Sequence, residues 1–210
     1  MILFIHTNEI NLNKHFQLKN IEVVDSIGEL NLKKANSISL KDEIVILECD
    51  DSKIKLLVGL KWVIANFKIT SIIFFDYIDP INTDVLGNHF LIPKKIYCIN
   101  DLPLEWGNNP YVIYIESNNS INRKIRNVIQ DTIQDFYYGN IISIDQKIIN
   151  ETTLNELNKL GNFDAYNNLI FTCNKFAKEN NLDIYNICIG RPSSKKNLEL
   201  RNFFEVLNIK

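Results

Sequence analysis

The stretch from Lys41 to Cys98 does most to restrict the fold. An apolar run, Glu43-Ile-Val-Ile-Leu-Glu-Cys49, leads into a polar elbow, Asp50-Asp51-Ser52-Lys53. Beyond the elbow, Ile54, Leu57, Val58, Leu60, Val63, Ile64 and Phe67 recur at spacings of three and four, which places them on one broad helical face. Ser71–Phe75 and Asn88–Ile92 then supply β-branched and aromatic runs that read as buried strands. Strand, helix, strand in this order is a βαβ unit, and Ile72–Phe75 should be central in its sheet. Ligands of such sheets sit beyond the carboxyl ends of the strands. A pocket is therefore expected at the elbow 49–53 and at the loop 76–80.

The rest of the chain continues the alternation. Ile2–Ile5 reads as a central strand. Ile21–Val24 and Ser37–Leu40 read as short strands, separated by Gly28 and the mostly polar 31–36. The stretch 93–110 reads as irregular loop, with a turn at Trp106-Gly107-Asn108-Asn109-Pro110. Tyr111–Ile115 is a strand, and Ser117–Ser120 offers helix N-caps before Ile121, Ile125, Val128, Ile129 and Ile133. Residues 136–144 are β-like. A helix from a Thr152 cap to Leu160 should stop at Gly161. Leu169, Ile170, Cys173, Phe176 and Ala177 mark another helix, Ile184–Ile189 a last strand, and 196–207 a short final helix. Strands and helices alternating in this way predict one α/β domain over residues 1–210, three layers deep.

Charge and composition narrow the function. The formal net charge is -2, which gives no electrostatic case for nucleic acid or an anionic membrane. No apolar run approaches the roughly 20 residues of a membrane span. Met1 leads into Ile-Leu-Phe-Ile without a charged region, so no signal peptide is expected and the setting reads as cytoplasmic. Cys49, Cys98, Cys173 and Cys188 form no C-x-x-C pair and read as buried thiols. His15 and His89 share no metal-ligand spacing with a cysteine or carboxylate, so neither metal nor cofactor is expected. His6, at the end of the first strand, is either an acid/base group or a packed histidine.

The order of these segments resembles the nucleoside phosphorylase/nucleosidase superfamily, most of all the methylthioadenosine/S-adenosylhomocysteine nucleosidases. Family members open with a strand and an acidic turn, as Met1–Glu9 does here. They continue with a strand, an S-G-I-G-K elbow and a long helix, where this chain has Cys49-Asp-Asp-Ser-Lys53. Their G-S-A-G-G follows a strand at the place of Asp76-Tyr-Ile-Asp-Pro80, and their V-G-D at the place of Leu86-Gly87-Asn88. Their later glycine and S-G-D match Gly139 and Ser143-Ile144-Asp145. Their M-E segment matches Phe163-Asp-Ala-Tyr166, and their final S-D falls at Gly190-Arg-Pro-Ser193. The resemblance covers nearly the whole chain and implies a three-layer α/β/α fold with a central mixed sheet. It further implies a nucleoside ligand bound near Asp76, Tyr77, Ser143, Asp145, Tyr166 and Arg191.

The departures fall on the chemistry. The resemblance implies N-glycosidic cleavage by a glutamate that positions water, a glutamate that holds the ribose and an aspartate that protonates the purine, work that needs ionisable groups in place. Those positions fall near Leu12 (with Glu9 close by), at Tyr166 and at Arg191–Ser193. None carries the required group, so no catalytic residue is assigned. Elbow glycines, which let backbone N–H groups approach an anion, are replaced by Asp50 and Ser52, and Asp76 and Asp79 stand where G-S-A-G-G would be. The expectation is a degenerate member acting by weak nucleoside binding, homodimerisation or association with an active relative. The alternative is an active purine nucleosidase with displaced carboxylates, for which Glu9, Asp145 and Asp164 are the candidates. Ser143 could equally be a strand-end hydrogen-bond partner, Tyr166 a pocket filler and Arg191 a surface ion pair. Trp62 and the apolar loop 102–106 mark a candidate interface.

Overall fold

In chain order the elements are β1 (Ile2–Thr7), β2 (Leu18–Ile27), β3 (Leu30–Ser37), β4 (Glu43–Cys49), α1 (Lys53–Asn66), β5 (Ser71–Pro80), β6 (Phe90–Asn100), β7 (Tyr111–Glu116), α2 (Asn119–Thr132), β8 (Phe136–Ser143), α3 (Glu151–Leu160), β9 (Ala165–Tyr166), α4 (Ile170–Glu179) and β10 (Asp183–Gly190). The computed structural model describes residues 1–12, 18–27, 30–37, 43–81, 89–100, 111–132, 136–144 and 151–191.

β1 is apolar on both faces because it has neighbours on both edges and helices on both sides. It runs parallel to β4, with Ile2 opposite Ile44, and parallel to β5, with Ile2 opposite Ser71. The βαβ unit β4–α1–β5 thus closes around β1. Leu3 and Ile5 face a core shared with Leu56, Leu60 and Val63 of α1 and with Cys173 and Phe176 of α4. Ile2 and Phe4 face the opposite core, which includes Ile121 and Ile125 of α2. This alternation of strand side chains between two helix layers produces the three-layer α/β/α architecture. The four cysteines are all buried free thiols. Among the described residues no helix is long and apolar enough to cross a membrane.

Beyond β5 the sheet curls into a ring. β10 is parallel to β5, and its end, Cys188 and Ile189, meets the start of β6 antiparallel. β6 is parallel to β8, β8 to β9, and β9 returns antiparallel to the tail of β5, with Tyr166 opposite Asp79. β7 adds to the outside of β6. On the other side of β1 the sheet ends in two antiparallel strands, β3 and then β2 at the edge. The β2–β3 register shifts between Lys19 and Glu22 and again between Val23 and Asp25, and Ile21, Val23 and Val24 are exposed.

The helix expected behind the elbow spans Lys53–Asn66, capped by the Ser52 side chain accepting from the Lys55 N–H at 3.4 Å. Three local expectations are corrected. The mostly polar 31–36, expected to separate two strands, belongs to β3, Leu30–Ser37, while 38–40 of the strand expected at Ser37–Leu40 lie outside the described residues. The polar look of β3 hides inward-facing Leu30, Leu32 and Ala35, all buried. The region from Pro93 on, expected as loop, continues β6 as far as Asn100. A strand tolerates proline at an irregularity, and the β6–β8 register shifts between Pro93 and Lys95. α3 starts at Glu151, so Thr152 lies inside the helix and is not its cap. The loop 102–106 and the final helix at 196–207 lie outside the described residues.

Gly139 of β8 fixes the approach of β8 to the segment before β9. A Cβ there would lie 2.8 Å from Asp164 Oδ2 and 2.9 Å from Asp164 Cβ. That carboxylate accepts the Asn140 N–H at 2.7 Å. Gly139→Ala is therefore expected to destabilise the protein by about 1–3 kcal/mol, the usual range for overpacking, read from the urea midpoint.

Candidate functional site

The carboxyl ends of β1, β5 and β10 converge, as the topology requires of a parallel sheet. They enclose a cavity of about 30 Å³ lined by Thr7, Glu9, Asp51, Asp76, Tyr77, Asp79, Tyr166, Asn167, Asn168 and Arg191. The volume is that of roughly one water molecule.

Asp76 sits at the inner end. Its side chain is 2% exposed, and both oxygens are held. Thr7 Oγ1 donates to Oδ1 at 2.6 Å, and Asn167 Nδ2 donates to Oδ2 at 2.8 Å. Asn167 Nδ2 also donates to the Tyr77 carbonyl at 2.9 Å. Asn167 Oδ1 accepts the Leu169 and Ile170 N–H groups, each at 2.9 Å. One amide thus caps α4 and grips β5 at once. Burial pushes the Asp76 carboxyl up to about 6, against the opposing pull of the donors from Thr7 and Asn167.

Arg191 closes the outer end. Its backbone N–H donates to Ile78 O at 2.9 Å, which places the side chain beside the tail of β5. Nε donates to Asp79 Oδ1 at 2.7 Å, and a terminal nitrogen reaches Asp79 Oδ2 at 3.3 Å. The other terminal nitrogen donates to Glu9 Oε2. The guanidinium stands 5.8 Å from the Tyr77 ring centroid. Asp79 and Glu9 together hold the guanidinium in its charged form.

The elbow is also self-satisfied. Asp50 Oδ1 accepts the Ser52 N–H at 3.0 Å, and Oδ2 takes Lys55 Nζ at 2.6 Å. The pairing with Lys55 holds the Asp50 carboxyl below the usual carboxylate range. The start of α1, where an anion would dock, is occupied by a carboxylate of the chain itself.

The residues singled out from the sequence divide as follows. Asp76, Tyr77, Tyr166 and Arg191 line one cavity. Ser143 does not: it is buried, and its hydroxyl donates to the Asn168 carbonyl at 2.6 Å, joining β8 to the start of α4. Asp145 lies outside the described residues. Arg191 is an ion-pair partner, as one reading of it held, and it stands over the cavity. Of the alternative carboxylates, Glu9 is taken by Arg191. Asp164 accepts the Tyr137 hydroxyl at 3.1 Å as well as the Asn140 N–H, and works as a structural tie. Thr7 and Asn167 were missed. The available signal was a short polar residue at each end of the apolar segments that frame the site.

No protein-family model matches this sequence, and no curated protein matches it. Solved structures do. The chain superposes on the 5′-methylthioadenosine/S-adenosylhomocysteine nucleosidase (MTAN) of Campylobacter jejuni with a TM-score of 0.77 at 15% identity, over 99% of this chain and 92% of that one. A Helicobacter pylori MTAN variant with 5′-methylthioadenosine in its active site gives a TM-score of 0.77 at 13% identity, over 90% and 83%. Helicobacter pylori futalosine hydrolase gives 0.73 at 15% identity, over 91% and 88%. This chain has the nucleosidase fold. The mixed sheet with helices on both faces is the architecture that the sequence resemblance implied.

Within this nucleosidase fold, Asp76 makes stability pH-dependent. Its folded-state pKa lies above that of the unfolded chain, so folding favours the protonated carboxyl. That contribution is fully present below the unfolded value of about 4 and is lost as pH rises through about 6. The shift from 3.8 to about 6 corresponds to about 3 kcal/mol at 1.36 kcal/mol per unit. Urea midpoints measured at pH 4.5 and 7.5 should fall more steeply with pH in the wild type than in Asp76→Asn.

Proposed function

We propose that this chain is a nucleosidase-fold protein whose nucleoside pocket is closed by its own side chains. In this reading it does not cleave N-glycosidic bonds and acts by weak nucleoside binding or by association with another protein. The observation that carries the reading is Arg191, pinned by Asp79 and Glu9 over Tyr77 in a cavity of about 30 Å³. A nucleoside needs a site of several hundred Å³, so Arg191 must swing out before one can enter. Breaking a guanidinium's bonds to two carboxylates opposes that movement. Tyr166 adds bulk where the resemblance implies a ribose-binding glutamate.

A second reading is an active purine nucleosidase with a displaced acid, and Asp76 favours it. A carboxyl that titrates near 6 holds its proton for part of the time at neutral pH, as a general acid requires. Both oxygens are already engaged by Thr7 and Asn167, so proton transfer would require one of those bonds to open.

Purified protein incubated with methylthioadenosine or S-adenosylhomocysteine is expected to release no adenine above background. Release at an ordinary enzymatic rate of roughly 10 per second would transfer the assignment to the second reading. Adenosine at millimolar concentration should raise Tm only slightly. Arg191→Ala, which unplugs the cavity, should enlarge that shift, because ligand-linked stabilisation grows with concentration over Kd.

A homodimer is part of the same proposal. Trp62 is half-buried and packs against Phe67, with ring centroids 5.9 Å apart, so it belongs to the monomer core. The exposed apolar stripe on α1 is Ile54, Leu57 and Val58, and a second copy would cover it. Sedimentation at micromolar concentration should give a dimer that Val58→Asp converts to monomer. A monomeric wild type would remove this claim.

A further inference from the structure

A second cavity, of about 440 Å³, opens beside the end of β1 and is lined by residues of the 8–12 turn and of β1 to β4. Among the described residues it shares only Glu9 with the cavity around Asp76. His6 and Glu48 form part of its lining and are register partners in β1 and β4. Ile10, Leu12 and Ile46, all buried, add an apolar wall.

Beside the donors of Asn8, Asn11 and Lys33, the lining carries two acceptors on adjacent strands. His6 is 4% exposed, and its Nδ1 lies 2.7 Å from the Thr7 carbonyl oxygen. A carbonyl only accepts, so Nδ1 carries the proton. Burial holds the ring below its ordinary pKa, so it is neutral near pH 7 and Nε2 keeps a lone pair. Among the described residues no donor reaches Nε2. Lys33 Nζ takes Glu48 Oε2 at 2.5 Å, and no described donor reaches Oε1. Neither atom is sealed from solvent, so a ligand donor could take the place of water at both. Two acceptors on adjacent strands, beside a greasy wall, fit a flat molecule with two neighbouring N–H groups. Glu48 is paired with Lys33 and Glu9 with Arg191, so the charges at the lining are close to balanced and recognition falls to the ligand's paired donors.

We propose that this cavity is a second small-molecule site, separate from the nucleosidase-type pocket, which takes a planar amidine or 2-amino heterocycle through His6 Nε2 and Glu48. The volume lies in the range of small-molecule sites.

Benzamidine, titrated into the 15N-labelled full-length chain, tests it. The ring-nitrogen signals of His6, told apart from those of His15 and His89 by His6→Gln, should show the Nδ1–H tautomer. The Nε2 signal should then move saturably as it gains a donor. Glu48→Gln should weaken that binding at least tenfold, and benzyl alcohol, which lacks the paired donors, should leave the signal in place. The proposal is overturned if the signal does not move up to about 10 mM, well beyond a millimolar Kd, because the cavity then holds water only. It is equally overturned if benzyl alcohol moves the signal as far, or if Glu48→Gln binds as tightly as wild type. Should Glu48→Gln fail to fold, the comparison of the two ligands on the wild type decides the matter.

Discussion

β5 is the strand on which the other parts of the sheet depend. It pairs with β1 along its first half, with β10 along most of its length and with β9 at its tail. Buried backbone N–H and C=O groups must be paired, so a strand with so many neighbours must be apolar on both faces until the sheet opens. Ile72, Ile73, Phe74 and Phe75 meet that demand and are fully buried. Asp76 is the first residue to break the pattern, and it breaks it before the strand leaves the interior. A carboxyl therefore sits where desolvation is severe, and the structure answers with two donors, from Thr7 and Asn167. The polar chemistry of the site follows from where β5 stops being apolar.

The same arrangement couples site to scaffold. Asn167 links Asp76, the Tyr77 carbonyl and the first turn of α4. Arg191 links the ends of β10 and β5 to the turn after β1. Bonds that fix the layers relative to one another are the bonds that line the cavity. Opening the cavity for a ligand would loosen the ties that hold the strand ends together, which separates this chain from a scaffold whose pocket stands ready beside an independent core.

Much of this was legible in the sequence, for physical reasons. α1 declares itself because its apolar residues repeat at helical spacing, although they do not share one face, Leu60 and Val63 being buried and Ile54, Leu57 and Val58 exposed; β5 declares itself because its run is β-branched and aromatic. β3 was missed because Lys33, Lys34 and Asn36 outweigh the few inward side chains, and the length of β6 because a proline read as a stop where an irregular register accommodates it. At the site, Asp76, Tyr77 and Arg191 followed from their place at strand ends, and Tyr166 from the family resemblance. The roles of Thr7 and Asn167 did not, since a short polar residue beside a strand looks the same whether it caps a helix or holds a buried carboxyl. The pairing of Arg191 with Glu9 spans 182 positions of sequence and has no local signature.

The edge strand β2 has a consequence for solubility. Among the described residues β2 has no partner on its outer side, and such an edge, with Ile21, Val23 and Val24 exposed, is a template on which another chain's strand could grow. Two register shifts within ten residues spoil that template. A straight incoming strand would fall out of step at Lys19–Glu22 and again at Val23–Asp25. It would leave hydrogen bonds unmade and set its side chains against Lys19, Glu22 and Asp25. The irregularity of β2 therefore works as a guard against fibril-like stacking, placed on the margin of the sheet that lies farthest from the site.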